Sequence, residues 1–125
     1  MILIFGGAYQ GKLDYAREKY HIKDDEICFC TEEDKPDFNK KVIYNLEKFI
    51  FGCVKRGQEA KDILAENKDL LDDKIIIAED ISQGIVPLDA TERQWREMSG
   101  RTLLYIGQNA SEVIRIFCGL PHKIK

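Results

Sequence analysis

The sequence is poor in residues and patterns that mark several classes of protein. Its 125 residues include two histidines, three prolines and one tryptophan. The four cysteines, at positions 28, 30, 53 and 118, form no Cys-x-x-Cys pair, so neither a zinc site nor a disulfide framework is expected. No apolar run approaches the roughly 20 residues of a membrane span, and residues 1–5 lack the basic flank and cleavage site of a signal peptide. We therefore expect a cytoplasmic protein with no membrane partner.

A basic surface is also missing. The 19 lysines and arginines are outnumbered by 22 acidic residues, and the formal net charge is −3. Domains that bind nucleic acids usually carry a basic stripe, so we expect no nucleic acid partner. The chain has no repeat, low-complexity tract or linker-like stretch. We predict a single domain over residues 1–125, which is long enough to bury an apolar core.

Short apolar segments alternate with helical patterns along the chain. Strands are predicted at residues 1–5, 26–30, 74–79 and 112–117. Helices are predicted at 13–20, at 58–71 and from a capping box formed by Thr91 and Gln94. Residues 42–46 fit either a third strand or the start of a helix that continues to residue 54. The alternation predicts an α/β fold with a mostly parallel sheet flanked by helices, in which ligands bind at the carboxyl ends of the strands.

The glycine-rich segment after the first strand matches the phosphate-binding pattern G-x-x-x-x-G-K. Glycines let the backbone curl so that consecutive N–H groups point at phosphate oxygens. The following helix adds the positive end of its dipole, and the lysine adds a charge for the outer phosphates. A structural glycine turn is the alternative, but the flanking strand and helix favour a loop that binds ATP or GTP. The predicted nucleotide-binding residues are Gly6, Gly7, Ala8, Tyr9, Gln10, Gly11, Lys12 and Leu13, with Lys12 also catalytic.

Leu13 departs from this pattern, which has Ser or Thr after the lysine as a Mg²⁺ ligand. Mg²⁺ keeps several waters and takes few protein ligands, so the loss of one ligand weakens a metal site without abolishing it. Nucleotide binding tolerates this change better than fast phosphoryl transfer does. Mg²⁺ is therefore a candidate cofactor of a site that lacks one of its usual ligands.

Two separated blocks resemble one family, the bifunctional adenosylcobinamide kinase/adenosylcobinamide-phosphate guanylyltransferases of cobalamin biosynthesis. The first block is IFGGAYQGKLDYA at residues 4–16. The second is EDISQGIVP at residues 79–87, followed by RQWRE at 93–97, the pair Gly100-Arg101 and the segment EVIRIFCGLPHKIK. That family carries, in the same order, a Gly-Gly-Ala loop, a Gly-Ile-Val-Pro segment, an Arg-x-Phe-Arg stretch, a Gly-Arg pair and a closing Gly-x-Pro-x-Lys.

The resemblance implies a P-loop NTPase-like protein that binds ATP or GTP. Members of the family phosphorylate adenosylcobinamide and then transfer GMP through a histidine intermediate. A cobinamide-like small molecule is therefore the implied second substrate. Members also form ring-like trimers, which implies a homo-oligomer here.

Several departures separate the chain from that family. The His-Arg-x-x-Arg element whose histidine accepts GMP is absent, and neither His21 nor His122 stands in such a context. His21 is predicted instead to belong to the end of the first helix. The family's Asp-Cys-Leu segment, whose Asp lies near the metal, corresponds best to Tyr44-Asn45-Leu46, which has no acid. Thr102-Leu103 stands where the family has Asn-Gln after its Gly-Arg.

Asp80 and Arg101 are further candidate site residues. Asp80 stands where the family has an acid at a strand end, and is predicted to be catalytic and a metal ligand, because a carboxylate there can hold Mg²⁺ or orient an acceptor hydroxyl. A solvated strand end is the alternative. Arg101 is a candidate contact for the nucleotide, with a surface ion pair as the alternative. Trp95 and Met98 are predicted to face the core, because they have the spacing of a buried helix face.

Two functions remain open from the sequence. One is a shortened enzyme of the cobinamide kinase type, acting at most as an NTP-dependent kinase, which Lys12 and Asp80 favour. The other is a non-catalytic nucleotide-binding sensor or scaffold, which Leu13 and the missing acid favour.

Overall fold

The computed structural model describes residues 1–81 and 89–125. Its strands are β1 (Ile2–Gly6), β2 (Ile27–Phe29), β3 (Val42–Tyr44), β4 (Ile75–Glu79), β5 (Glu112–Phe117) and β6 (Leu120–Lys123). Its helices are α1 (Lys12–Tyr20), α2 (Leu46–Arg56), α3 (Ala60–Glu66), α4 (Lys68–Leu71) and α5 (Ala90–Asn109), with a 3-10 turn at Asp24–Glu26.

The strands form one sheet in the order β2-β3-β4-β1-β5-β6. All neighbouring strands pair in parallel except β5 and β6, which form an antiparallel hairpin. β1 lies between β4 and β5, with Ile4 opposite Ile77 on one side and Ile114 on the other. The predicted α/β fold with a mostly parallel sheet is thus confirmed, and the strand at its centre leads into the glycine-rich loop.

Helices cover both faces of the sheet, because successive strand residues point to opposite sides. In β1, Leu3 packs into a core cluster with α2, α3 and α5, whereas Ile4 packs into a second cluster with α1. On α1, Ala16 is fully buried, and Leu13 and Tyr20 are partly buried against the same cluster, as the helical spacing predicted. Full burial of a side chain such as Ile4 contributes about 1.5–3 kcal/mol, so apolar packing holds both helix layers to the sheet.

The prediction of a single helix over residues 58–71 is wrong, because the helical segment is interrupted at Asn67 and forms two helices, α3 and α4. Asn67 has φ −110° and ψ 23°, outside the helical region, and its Nδ2 donates to the Ile63 carbonyl at 2.8 Å. A short polar side chain that bonds to the backbone competes with helical hydrogen bonding. The predicted apolar positions are nevertheless buried, namely Ala60, Ile63, Leu64 and Leu71.

Residues 42–46 contain both a strand and the start of a helix, the two alternatives that the sequence left open. β3 ends at Tyr44, Asn45 is left-handed with φ 62°, and α2 begins at Leu46. Asparagine tolerates this conformation better than most residues. The chain therefore changes from strand to helix within a single residue, directly at the carboxyl end of the sheet.

The prediction of a capping box at the start of α5 is wrong. The N-cap is Asp89, whose carboxylate accepts hydrogen bonds from the backbone N–H groups of Thr91 at 2.7 Å and Glu92 at 3.3 Å. Aspartate caps a helix at least as well as threonine, so Thr91 lies inside the first turn and does not cap it.

Sequence patterns gave no indication of β6. Its residues are all exposed and include Pro121, so it lacks the apolar alternation of a strand. The turn that precedes it contains Cys118 and Gly119 in left-handed conformations, with φ values of 52° and 75°. β6 thus forms an edge of the sheet, where a proline is tolerated.

A glycine of α2 lies at a close crossing with the segment that follows β2. A Cβ on Gly52 would stand 1.9 Å from the carbonyl oxygen of Glu32. The same carbonyl accepts a hydrogen bond from the Arg56 guanidinium, and the Glu32 carboxylate pairs with Lys55 at 2.9 Å. The hydrogen bond and the ion pair therefore hold the segment after β2 against α2, at a position where only glycine fits.

The Gly-Ile-Val-Pro segment at residues 84–87 lies outside the described residues. Within the ranges that the structure describes, no helix has the length and apolar character needed to cross a bilayer.

Candidate functional site

The loop between β1 and α1 leaves backbone N–H groups open at the start of a helix. Tyr9 and Gly11 have positive φ values of 58° and 85°, which curl the backbone and which glycine adopts without strain. Gly11 is the N-cap of α1, and its first turn has no side-chain cap. The first N–H groups of α1 can therefore bind an anion, which the helix dipole also favours.

Lys12 is held inside this loop. It is only 9% exposed, and its Nζ donates a hydrogen bond to the Gly7 carbonyl at 2.7 Å. Burial lowers the pKa of the Lys12 ammonium, whereas the carboxylates of Glu79 and Glu47 act to raise it. The loop thus holds a positive charge in a fixed position without a ligand.

Gly6 is the last residue of β1 and lies in close contact with the chain on both sides of that strand. A Cβ at Gly6 would stand 2.4 Å from the Ile116 carbonyl oxygen of β5. On the other side, the Gly6 carbonyl accepts the Asp80 N–H at 2.7 Å. Packing against β5 therefore requires glycine at position 6, in addition to any role that Gly6 has in the loop.

Gln10 ties the loop to the turn of the β5–β6 hairpin. Its backbone carbonyl accepts the Gly119 N–H at 3.0 Å, and its side-chain oxygen accepts the Cys118 N–H. Together with the bond from Lys12 to Gly7, these contacts fix the loop without a ligand.

A cavity of about 620 Å³ opens beside the loop. Small-molecule sites usually have volumes of roughly 300–1,000 Å³. This loop cavity lies at the carboxyl ends of β3 and β4, the end of a parallel sheet where ligands usually bind. Its lining residues are Ala8, Tyr9, Gln10, Gly11, Lys12, Leu13, Asp14, Tyr44, Asn45, Glu47, Lys48, Glu79 and Trp95.

Two carboxylates that the sequence did not single out line the loop cavity. Glu47 is 8% exposed, and its Oε1 accepts the backbone N–H of Glu79 at 2.9 Å. Burial raises the pKa of the Glu47 carboxyl, whereas this hydrogen bond and the Lys12 ammonium act to lower it. Glu79 is the last residue of β4. Acidic groups from α2 and β4 therefore lie in the same cavity as Lys12.

The residues that line the loop cavity can be compared with the ligands that Mg²⁺ needs. Leu13 lines the loop cavity and packs partly against the core beside α1, so it offers no metal ligand. Among the described residues, no cluster of three or more His, Cys, Asp or Glu side chains could hold a metal. Mg²⁺ bound to a nucleotide usually needs only one or two carboxylates besides phosphates and waters. The carboxylate of Glu79 fits that requirement, whereas Glu47 already accepts the Glu79 N–H.

Asp80 follows β4 directly but is not among the residues that line the loop cavity. Successive residues of an extended chain point to opposite sides, and it is Glu79 that lines the cavity. The catalytic and metal-binding roles of Asp80 stay predictions.

Arg101 lies on α5 and pairs with Glu59, whose Oε1 accepts from its Nε at 3.1 Å. Both residues line a separate hollow of about 290 Å³. The structure thus places Arg101 in a surface ion pair and not at the loop cavity, and a contact with the nucleotide stays a prediction.

The two histidines of the chain lie away from the loop cavity. His21 is the C-cap of α1, as predicted, with φ 54°. His122 is exposed on the edge strand β6. Neither side chain lines the cavity that contains Lys12.

Trp95 contributes an aromatic wall to the loop cavity. Its Nε1 donates to the Glu47 carbonyl at 2.8 Å, and its ring centroid lies 4.9 Å from that of Phe51. Met98 is buried as predicted. Trp95 packs against the core but is only half-buried, because part of its ring faces the cavity.

Comparison with known families adds to this geometry. A family model described as cobinamide kinase / cobinamide phosphate guanyltransferase matches residues 40–124. The matched range contains Glu47, Glu79 and Trp95, and it begins after the glycine-rich loop. A search of the curated proteins finds no match. Because the family match extends over more than half of its length, the chain belongs to the cobinamide kinase / cobinamide phosphate guanyltransferase family.

Proposed function

We propose that the protein binds ATP or GTP through residues 6–12 and acts as a kinase on a cobinamide-like alcohol. The observation that carries the proposal is the position of Lys12. Its Nζ is held at 2.7 Å from the Gly7 carbonyl, beside the uncapped first turn of α1 and in one cavity with Glu47 and Glu79. This arrangement combines a phosphate-binding cation with groups that can accept a proton.

Each side chain has a defined part in the proposed transfer. The acceptor hydroxyl oxygen attacks the γ-phosphorus, the bond to the oxygen that bridges the β- and γ-phosphates breaks, and the hydroxyl proton passes to a carboxylate. Lys12 and the N–H groups of α1 stabilise the phosphate charge. Burial raises the pKa of Glu47, which suits it to accept that proton. The products are the nucleoside diphosphate and the phosphorylated alcohol.

Glu79 is the residue that would hold Mg²⁺ with the nucleotide, because Glu47 is assigned the proton of the acceptor hydroxyl. The metal ion would neutralise part of the phosphate charge. Because Leu13 supplies no hydroxyl, we expect Mg²⁺ to strengthen nucleotide binding only modestly. Asp80 remains the further candidate ligand.

A non-catalytic nucleotide sensor is the second candidate function. Leu13 and Tyr44 both line the loop cavity at positions where the family pattern has a metal-binding hydroxyl and an acid. A sensor would bind the nucleotide through the same loop but would not turn it over.

Nucleotide binding can be tested by thermal unfolding. At 100 times its dissociation constant, a bound nucleotide adds about 2.7 kcal/mol to the free energy of unfolding. We expect ATP or GTP to raise the melting temperature by several degrees. Adenosine and guanosine at the same concentrations are the controls, because they lack the phosphates that the loop binds. The absence of a shift with any nucleoside triphosphate at millimolar concentration would contradict the proposal.

Leu13→Ser tests whether the residue after Lys12 can supply a ligand to Mg²⁺. The new hydroxyl should strengthen the Mg²⁺ dependence of ATP affinity, measured by calorimetry with and without Mg²⁺. Leu13→Ala is the matched control, since it loses the same packing without gaining a ligand. Both variants should lose about 1–3 kcal/mol of stability, less than a fully buried leucine would cost. A wild-type protein with strong Mg²⁺ dependence that Leu13→Ser leaves unchanged would show that carboxylates alone hold the metal.

We also expect no guanylyl–enzyme intermediate, because neither histidine lines the loop cavity. The protein is incubated with α-labelled GTP and Mg²⁺ and then separated by denaturing electrophoresis. Acid-labile label on the chain would contradict this expectation, and the variants His21→Ala and His122→Ala would then identify the histidine that carries it.

A further inference from the structure

A second cavity of about 400 Å³ adjoins the loop cavity. It is lined by residues 30–33, which follow β2, and by Phe51 of α2. Lys48 and Trp95 line both cavities and therefore form their common wall. We propose that this second cavity binds the part of the phosphate acceptor next to its hydroxyl, and that the hydroxyl reaches into the loop cavity beside Glu47. The inference rests on the kinase proposal and extends it to the acceptor.

The topology indicates which ligand belongs in which cavity. The phosphate loop follows β1, and β4 and β3 lie next to it on one side of the sheet, with β2 beyond them. The second cavity lies at the carboxyl end of β2, so the carboxylates of Glu47 and Glu79 are between it and the loop. An acceptor and a nucleotide must approach the transferred phosphoryl group from opposite sides, in line. Lys12 occupies the nucleotide side, which leaves the side of the second cavity for the acceptor.

The wall shared by the two cavities is rigid. The Trp95 ring is fixed by its hydrogen bond to the Glu47 carbonyl and by the Phe51 ring. Phe51 in turn has the Lys55 ammonium 4.6 Å from its centroid, and Lys55 pairs with Glu32. A ring positioned in this way offers a preformed apolar face to a ligand at little entropic cost.

The charges around the second cavity are balanced. Glu32 and Glu33 are matched by Lys48, which also lines the cavity, and by Lys55, which pairs with Glu32. The aromatic rings of Phe51 and Trp95 therefore favour an acceptor with an apolar part next to its hydroxyl.

The test uses calorimetric titration of cobinamide, the alcohol named by the family description, and of ATP, each into the free protein. Thr31 is exposed and lines the second cavity, so Thr31→Arg should fill that cavity without disturbing the core. We expect it to weaken cobinamide binding at least about tenfold, and Trp95→Ala to do the same. ATP affinity should stay within about twofold of wild type in Thr31→Arg, because Thr31 lines the second cavity and not the loop cavity. Trp95→Phe, which keeps a ring on Phe51, should restore most of the acceptor affinity.

Gln108→Arg is the matched control, because it adds the same charge at the exposed end of α5 near the start of β5. Equal losses of ATP and cobinamide affinity in Thr31→Arg would assign the second cavity to the nucleotide and overturn the inference. Unchanged cobinamide affinity, or a wild-type protein that binds ATP but not cobinamide, would overturn it as well. The kinase proposal itself fails separately, if cobinamide binds and no nucleoside triphosphate does.

Discussion

Lys12→Met is expected to remove nucleotide binding and leave the fold intact. Methionine keeps the apolar stem of the side chain but not the ammonium that faces Glu47 and Glu79. Loss of a buried cation that binds phosphate should weaken ATP affinity at least about 100-fold, equal to about 2.7 kcal/mol. The measurements are ATP titration by calorimetry and the nucleotide-induced shift of the melting temperature.

The stability of the nucleotide-free protein should change little in Lys12→Met. The hydrogen bond to the Gly7 carbonyl is lost, but so is the cost of burying the ammonium. These opposing effects should leave the free energy of unfolding within about 1 kcal/mol of wild type. Lys19→Met, near the other end of α1 and largely exposed, is the matched control and should keep full ATP affinity. An unchanged ATP affinity in Lys12→Met would remove the loop from the proposed site.

Gly52→Ala should be the most destabilising single-methyl change in α2. Its Cβ would overlap the Glu32 carbonyl oxygen, which lies 1.9 Å away, so the segment after β2 must move and its bond to Arg56 must weaken. Overpacking costs about 1–3 kcal/mol, and the clash with a backbone oxygen at 1.9 Å argues for the upper end of that range. The cost is then larger than the gain of about 1 kcal/mol that alanine usually brings to a helix. Urea unfolding followed by circular dichroism measures the difference.

Gly100→Ala is the control for this change and should have the opposite sign. Gly100 lies in α5, and no atom of residues 1–81 or 89–125 stands within 4 Å of the position its Cβ would take. Alanine should therefore stabilise the protein by about 0.5–1 kcal/mol. If Gly52→Ala proved as stable as Gly100→Ala, the segment at residues 30–33 could leave α2 freely, and the second cavity would not be preformed.

Much of the fold could be predicted, because its main signals are local. The apolar runs of β1, β4 and β5 are continuous, as expected for strands buried on both faces, and the glycine pattern stands directly after β1. β2 and β3 are short, so periodicity alone did not distinguish strand from helix at residues 42–46. β6 was not predictable from its own residues, since Pro121 and its exposed neighbours resemble a loop.

The candidate site was only partly predictable, because its acids depend on tertiary structure. Glu47 directly follows residues 44–46, which correspond to the family's Asp-Cys-Leu. It reaches the cavity because the left-handed conformation of Asn45 starts α2 at that point. No spacing rule relates Glu47 to Glu79, which comes from a different element. The same holds for Arg101, whose partner Glu59 is far away in sequence. Contacts of this kind become visible only when the sheet order is known.

The central position of β1 has a consequence for how the protein acquires its ligand. The partners of β1 begin at Ile75 on one side and at Glu112 on the other, and the loop after it is held by Gln10 to the turn at Cys118 and Gly119. Contacts between such distant parts of a chain form late and slowly during folding. We therefore expect the loop at residues 6–12 to form only after the β5–β6 hairpin has emerged from the ribosome. The nucleotide proposed to bind there would stabilise the finished fold and would not assist the early steps of its assembly.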